Sequence, residues 1–226
     1  MENLFLKFDN FVLMGLALIQ LIFFIGMLAS YSKNKKHMLI YSAWIALGLF
    51  AFTTVNALGW LLKDGFLLKL LNRISYGVLG FIVGLFLIVG GYAAKFKDGS
   101  LRILWLLTLA LQIGGAVVGV ISPTVYEEIG ALMHYTHNTG NIGILTIAYA
   151  IITIGLPALM LIFGLIILFS QKNFKILLGS LLYCGIIAAG YFLLDIRYAL
   201  FIYIAAMTIL LWLIWSYGAK LEKPKY

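Results

Sequence analysis

The sequence predicts an all-α integral membrane protein of seven transmembrane helices. Of its 226 residues, 64% are hydrophobic and only 11% are charged, whereas soluble globular chains have about 45–50% apolar and about 25% charged residues. The apolar residues form seven stretches, each compatible with the roughly 20 residues of helix that cross a hydrocarbon core. The composition therefore indicates that the chain lies in a lipid bilayer, and the seven apolar stretches predict seven helices.

The seven predicted helices are separated by short polar connections. They run over 10–32, 38–62, 74–94, 103–122, 141–170, 176–194 and 198–219. A helix is the only open-ended element that bonds all its own backbone groups in lipid. The first ten residues carry two acids and one lysine, unlike the basic start of a secretory signal, so the first helix is predicted to remain. No Pro- or Ser-rich linker occurs, so 1–226 is predicted to be a single membrane domain.

The distribution of Lys and Arg predicts the orientation, because cytoplasmic connections are enriched in these residues. Eleven basic residues fall on one side of the predicted helices and five on the other, and with the acids included the net charges are +9 and −1. The N-terminus is therefore predicted to be outside and the C-terminus cytoplasmic, in the cell membrane. The positive charge of the predicted cytoplasmic side would contact anionic headgroups of the lipid bilayer. No nucleic-acid partner is needed to explain the basic composition.

Three pairs of segments suggest an internal repeat of the first three helices as the last three. The paired segments are 33–36 with 172–175, 57–64 with 188–195, and 91–95 with 216–220. Repeats over 10–95 and 141–220, joined by helix 103–122, would give a parallel 3+1+3 layout. Alternatively, the similarities arise by chance, because apolar helices draw on few residue types and several of them end at a lysine.

The 3+1+3 layout resembles that of the SWEET and PQ-loop transporters of sugars and amino acids, and more loosely that of the microbial rhodopsins. The resemblance covers topology and length. The chain has no Pro-Gln pair, and no lysine lies between Arg197 and Lys220 in the seventh helix to bind retinal. The chain is therefore assigned to neither family from its sequence.

Neutral polar residues within the predicted helices are the candidate binding residues, because polar groups in a membrane usually face the bundle interior or a cavity. Charged residues are not found near the centre of any predicted helix, so a proton pump or a voltage sensor is not expected. The residues predicted to line a pocket open to the outside are Gln20, Asn56, Tyr76, Gln112, Asn141 and Tyr191. Alternatively, the amides bond between helices and the tyrosines belong to the interfacial aromatic belt.

The connection 122–141 carries the only residues with recognisable metal chemistry, namely Glu127, Glu128, His134 and His137. His134 and His137 are three residues apart, so on a helix they would share a face and could bind one metal ion or haem iron. The alternative is a solvated loop, because the neighbouring Asn and Gly favour turns. The motif lacks the Glu of a zincin and the fourth ligand of a structural zinc site.

Glycine spacing and one proline predict how the helices pack. Gly77, Gly80 and Gly84 fall three and four residues apart on the third helix, and Gly114, Gly115 and Gly119 fall similarly on the fourth. Such stripes allow close helix contacts, so these two helices are predicted to be central. Pro157 should interrupt the fifth helix and free backbone carbonyls.

Three functional classes remain open. The first is a transporter or channel for a small neutral or weakly polar solute, favoured by the outer polar residues, the interrupted helix and the repeat. The second is a membrane subunit of a larger respiratory or redox complex that binds haem, metal or quinone, with other subunits or copies of the chain as partners. The third is an enzyme that acts on lipid through His134 or His137, which is the weakest because the bundle offers few acids and histidines.

Overall fold

The computed structural model describes residues 9–129, 132–137, 143–193 and 198–220. It has seven helices that are long and apolar enough to cross a membrane, as predicted. They are α1 (Asn10–Asn34), α2 (His37–Ala57), α3 (Phe66–Ala93), α4 (Asp98–Ile121), α5 (Ile144–Gln171), α6 (Lys175–Phe192) and α7 (Ala199–Gly218). A short helix, Gly59–Leu62, follows α2.

Helix α3 begins at Phe66, eight residues before the predicted start at residue 74. Lys69 and Arg73 lie within its first two turns. The prediction was wrong because it ended each helix at a charged residue, although a charge near a helix end reaches the headgroup region without breaking the helix. The correction places Asn72 inside the bundle, where its side chain is fully buried.

Helix α3 is the central helix of the bundle, as its glycines predicted, but α4 is not. In the most apolar window of α3, 83% of the residues are buried, against 22% in that of α4. The glycines of α4 divide between two faces: a Cβ on Gly115 would overlap the Gly80 carbonyl oxygen, whereas a Cβ on Gly114 would have nothing within 4 Å. Gly115 and Gly119 thus lie against the α3 backbone, while the remaining surface of α4 is peripheral.

Helix α5 is interrupted as Pro157 predicts. It contains a π-helical turn at Ile151–Gly155, and the missing N–H of Pro157 leaves the Thr153 carbonyl without its helical donor. The Tyr203 hydroxyl donates to that carbonyl at 3.2 Å, and the Tyr183 hydroxyl donates to the Ile154 carbonyl at 3.3 Å. Tyrosines of α7 and α6 thus stabilise the irregular turn.

The connection between α4 and α5 contains a β-hairpin and not the helix considered for the histidines. Strand β1 (Thr124–Ile129) pairs antiparallel with β2 (Leu132–His137), with Glu127 opposite His134 and Thr124 opposite His137. Both six-residue strands contain aromatic and β-branched residues, which favour strands. The hairpin contacts α2, α3 and the short helix.

The connections between the helices define two ends of the bundle. The hairpin end comprises the hairpin and the α2–α3 connection, whereas the lysine end comprises the α1–α2, α3–α4 and α5–α6 connections.

Every non-glycine residue with a positive φ in the described ranges is a lysine that follows a helix: Lys35, Lys63, Lys95 and Lys172. A cation at a helix C-terminus complements the helix dipole.

Candidate functional site

The hairpin is held tightly against the ends of α2 and α3. A Cβ on Gly59 would overlap the Met133 carbonyl oxygen, so the two backbones touch. The Tyr135 hydroxyl donates to Asp64 at 2.5 Å, and the Lys69 ammonium lies 5.7 Å from the centroid of the Tyr135 ring. Strand β2 therefore begins at the end of α2 and runs across toward α3.

The far end of β2 enters an aromatic cluster between α3 and α5. The His137 ring centroid lies 4.3 Å from that of Tyr76 and 4.4 Å from that of Tyr149. The Tyr149 hydroxyl donates to the Tyr76 carbonyl at 2.8 Å, and the Tyr76 hydroxyl is hydrogen-bonded to the Thr136 side chain. The far end of β2 is thus buried between the helices.

The register divides the four proposed metal ligands between the two faces of the hairpin. Successive residues of a strand alternate in direction, so Glu127, His134 and Thr136 share one face. The bond from Thr136 to Tyr76 shows that this face meets the bundle. At the end of β2 the opposite face meets it too, through the contacts of His137 with Tyr76 and Tyr149. Glu128 lies on the other face, where it accepts a hydrogen bond from Tyr126 at 2.7 Å.

The helical geometry assumed for a metal site at His134 and His137 is therefore not what this segment adopts. On a strand, residues three apart point to opposite sides, which leaves only Glu127 and His134 as a cross-strand pair. Within the described ranges, no group of three or more His, Cys, Asp or Glu residues is placed to hold a metal ion. A metal ion or haem bound by this segment stays a prediction. Glu127 and His134 are the two candidate ligands that share a face of the hairpin.

Both histidines are deeply buried. His134 is 3% exposed and His137 is 8% exposed. Burial lowers the pKa of each imidazole to about 4, although a hydrogen bond to the Gly119 backbone partly opposes this effect at His137. Both rings are therefore neutral at physiological pH.

Helices α2 and α3 contribute two buried asparagines to the same region. The Phe52 and Tyr76 rings are in contact, with centroids 5.5 Å apart. Asn56 lies one turn beyond Phe52, and Asn72 lies one turn before Tyr76. Because consecutive helices joined by this short connection run antiparallel, both asparagines lie one turn nearer the hairpin than the ring contact.

The side chains in this region leave several buried polar atoms without a hydrogen-bond partner among the described residues. Each asparagine amide donates to the carbonyl four residues earlier, at 2.8 Å for Asn56 and 2.9 Å for Asn72, which leaves its oxygen unpaired. We call this group the hairpin cluster; its unpaired atoms are Thr53 Oγ1, Asn56 Oδ1, Asn72 Oδ1, Arg73 Nε, Thr124 Oγ1, His134 Nδ1 and His137 Nε2. A buried polar atom left unbonded costs about 1–3 kcal/mol, so these atoms are candidates for hydrogen bonds to water or to a polar ligand.

The predicted pocket residues lie in different parts of the molecule. Asn56 and Tyr76 belong to the region of the hairpin cluster. Gln20 donates to Thr208 at 3.0 Å between α1 and α7, Gln112 lines a cavity between α2, α3 and α4, and Tyr191 is 79% exposed. Asn141 lies outside the described residues.

Sequence reasoning missed Asn72, and it did not connect His134 and Thr136 with the helices. Asn72 was placed outside the membrane because the predicted third helix began too late. Two six-residue runs flanking Gly130 were the available signal for the hairpin, since aromatic and β-branched runs separated by a glycine favour one.

Comparisons with known proteins assign no family to the chain. No protein-family model matches it, and no curated protein sequence matches it. The function is therefore inferred from the chemistry of the hairpin cluster and from the helices around it.

Proposed function

We propose that the protein is a transporter or channel for a small neutral or weakly polar solute, with the hairpin cluster as its binding site and the hairpin as its cover. The observation that carries the proposal is the concentration of unpaired buried polar atoms where α2, α3 and the hairpin meet. Polar groups inside a membrane bundle are costly and usually line a substrate path or a water-filled cavity. The proposed orientation places this end outside.

The chemistry of the cluster favours a solute that donates hydrogen bonds. The side-chain nitrogens of Asn56 and Asn72 each make one hydrogen bond already, so the atoms left without any partner are acceptor oxygens. His137 bonds Gly119 through one ring nitrogen, which makes the unpaired Nε2 of the neutral ring a further acceptor. Glu127 faces the bundle from the hairpin. The Arg73 Nε–H and the threonine hydroxyls can also donate, so the set suits neutral solutes that both donate and accept hydrogen bonds, such as urea-like or polyol-like molecules.

The structure of α5 supports a moving part close to the cluster. Tyr149, which contacts His137, lies just before the π-helical turn at Ile151–Gly155. Such turns occur frequently at functional sites, and this one is held by side-chain hydroxyls in place of regular helical bonds. A shift of the first part of α5 would move Tyr149 away from the hairpin.

The second candidate function, a membrane subunit of a larger assembly, is favoured by the exposed helices. Only 22% of the most apolar window is buried in each of α1, α4 and α6. Gentle extraction followed by measurement of the particle mass separates the two functions: a stable complex with other chains favours a subunit. The histidines that a lipid-acting enzyme would use are buried where strand β2 packs against the helices, which gives that class no support.

The transport proposal is tested in proteoliposomes by stopped-flow light scattering with urea, glycerol and potassium formate. We expect urea or glycerol to enter faster than in protein-free liposomes, and formate not to. Asn72→Leu should reduce the rate about tenfold, the effect of losing one buried hydrogen bond of roughly 1.4 kcal/mol. Gln20→Leu is the matched control, because Gln20 is equally buried but lies between α1 and α7.

Two results would contradict the proposal. One is the absence of protein-dependent flux for every solute. The other is an Asn72→Leu variant that folds with an unchanged melting temperature and transports as fast as the wild type.

A further inference from the structure

A lateral cavity lies between α2, α3 and α4, away from the hairpin cluster. Its volume is about 540 Å³, within the range of roughly 300–1,000 Å³ of small-molecule sites. Its walls are apolar and aromatic except at Gln112. Small-molecule sites commonly combine such walls with a few polar groups that orient the ligand.

Gln112 is a buried residue that lines the cavity and whose amide pairs with no described residue. Its side chain is 5% exposed and reaches the cavity across Gly84, where a Cβ would lie 2.7 Å from the Gln112 Cγ. Neither a hydrogen-bond donor nor an acceptor from the described ranges pairs with its carboxamide. Since an unbonded amide is costly in an apolar environment, the cavity is built for an occupant with a polar atom.

The depth of Gln112 restricts that occupant. The residue lies 14 positions from Asp98 and nine from Ile121, which is about 20 Å and about 14 Å from the two ends of α4. Phospholipids keep their hydrogen-bonding groups near the membrane surface, so an acyl chain alone would leave the amide unpaired. The occupant therefore needs a hydrogen-bonding atom that reaches the middle of the bilayer.

Aromatic side chains line the part of the cavity nearer the lysine end. Trp105 lies seven residues, or two turns, before Gln112 on the same face of α4. The Tyr41 and Trp105 rings meet edge to face with centroids 5.1 Å apart, and Trp44 lies one turn after Tyr41 on α2. Flat walls of this kind pack against rings and unsaturated, methyl-branched tails.

We propose that this cavity binds a membrane-dissolved isoprenoid quinone or quinol, whose ring oxygen bonds Gln112 and whose tail lies along Tyr41, Trp44 and Trp105. A carboxamide both donates and accepts, so it suits either the carbonyl or the hydroxyl of such a ring. The proposal is independent of solute transport at the hairpin cluster.

The test is a titration of the purified protein in mild detergent with decylubiquinone, followed by tryptophan fluorescence. Trp44 and Trp105 lie in the cavity wall, so bound quinone should quench their emission in a saturable manner. Gln112→Leu should weaken binding at least about tenfold, as expected for one lost hydrogen bond. Gln20→Leu should bind like the wild type, and Ala51→Phe, which fills the cavity, should abolish saturation.

Decylbenzene, which has the same tail but no ring oxygen, provides the second control. We expect it not to displace bound decylubiquinone at concentrations equal to those of the quinone. Equal affinities for the wild type and a Gln112→Leu variant with an unchanged melting temperature would overturn the proposal. Efficient displacement by decylbenzene would do the same, since the cavity would then accept any apolar chain.

Discussion

His134 and His137 make the hairpin sensitive to acid. Their pKa values fall from 6.5 to about 4 in the folded protein because the rings are buried. The unfolded chain therefore binds more protons than the folded chain between these values, and stability decreases as the pH falls through this window. The stabilisation is fully present above pH 6.5, and its loss corresponds to roughly 3 kcal/mol per histidine at pH 4.

We predict that the melting temperature in detergent falls between pH 6.5 and pH 4. His134→Gln together with His137→Gln should flatten this dependence, because glutamine does not titrate. A melting temperature that falls equally steeply in the double variant would assign the acid sensitivity to carboxylates. Circular dichroism at 222 nm provides the measurement.

Lys172 occupies a backbone conformation that glycine adopts at lower cost. Its φ is 51° and its ψ is 37°, in the left-handed region at the end of α5. For a residue with a Cβ this conformation costs about 1–2 kcal/mol. Lys172→Gly should therefore stabilise the protein by about 1 kcal/mol, seen as a higher melting temperature.

Lys97 is the control for that substitution, because its φ of −68° and ψ of 155° are ordinary for lysine. Lys97→Gly should give no gain. Equal effects of the two substitutions would show that removal of a lysine charge, and not backbone strain, determines the outcome.

At the scale of elements, the contact between α3 and α4 depends on the absence of side chains. A Cβ on Gly80 would overlap the Gly115 carbonyl oxygen, so the backbone of one helix must move to accommodate it. Gly80→Ala should lower the melting temperature, since overpacking typically costs about 1–3 kcal/mol.

Gly114→Ala is the matched control on α4, because nothing lies within 4 Å of the position that a Cβ on Gly114 would occupy. It should be neutral or stabilising, as alanine favours helix over glycine by up to about 1 kcal/mol. If Gly80→Ala is equally well tolerated, the two helices do not approach as closely as described.

The seven helices follow from the sequence because unbroken apolar runs are a strong local signal, whereas the hairpin depends on tertiary contacts. The polar run from His134 to Asn141 fits a loop when considered alone. The strands of the hairpin are held by Gly59, Tyr76 and Tyr149, which are distant in the chain and whose proximity no local pattern reveals. The candidate site was predicted only in part for the same reason. Asn56 and Tyr76 can be recognised in the sequence as polar residues within apolar helices, but only the folded structure shows that they lie near Asn72 and His134.

At the scale of the whole molecule, charge predicts how the bundle lies in a membrane. The lysine end of the described chain has nine basic residues and one acid, Asp98, and such an excess is typical of the cytoplasmic side. In intact cells, an impermeant thiol reagent should label Glu128→Cys and not Lys97→Cys, each in a Cys184→Ser background. Labelling of Lys97→Cys alone would reverse the proposed orientation.

The central claim is that small polar molecules reach a polar compartment covered by the hairpin, and the labelling of a cysteine at Asn72 tests it most directly. The measurement uses Asn72→Cys in a Cys184→Ser background, with and without Gly59→Ala, which displaces Met133 and loosens the hairpin. We predict that a small neutral water-soluble thiol reagent labels Asn72→Cys, and does so faster with Gly59→Ala. Ser180→Cys, at a fully buried position in α6, should remain unlabelled. If Asn72→Cys is as inert as Ser180→Cys even with Gly59→Ala, there is no such compartment.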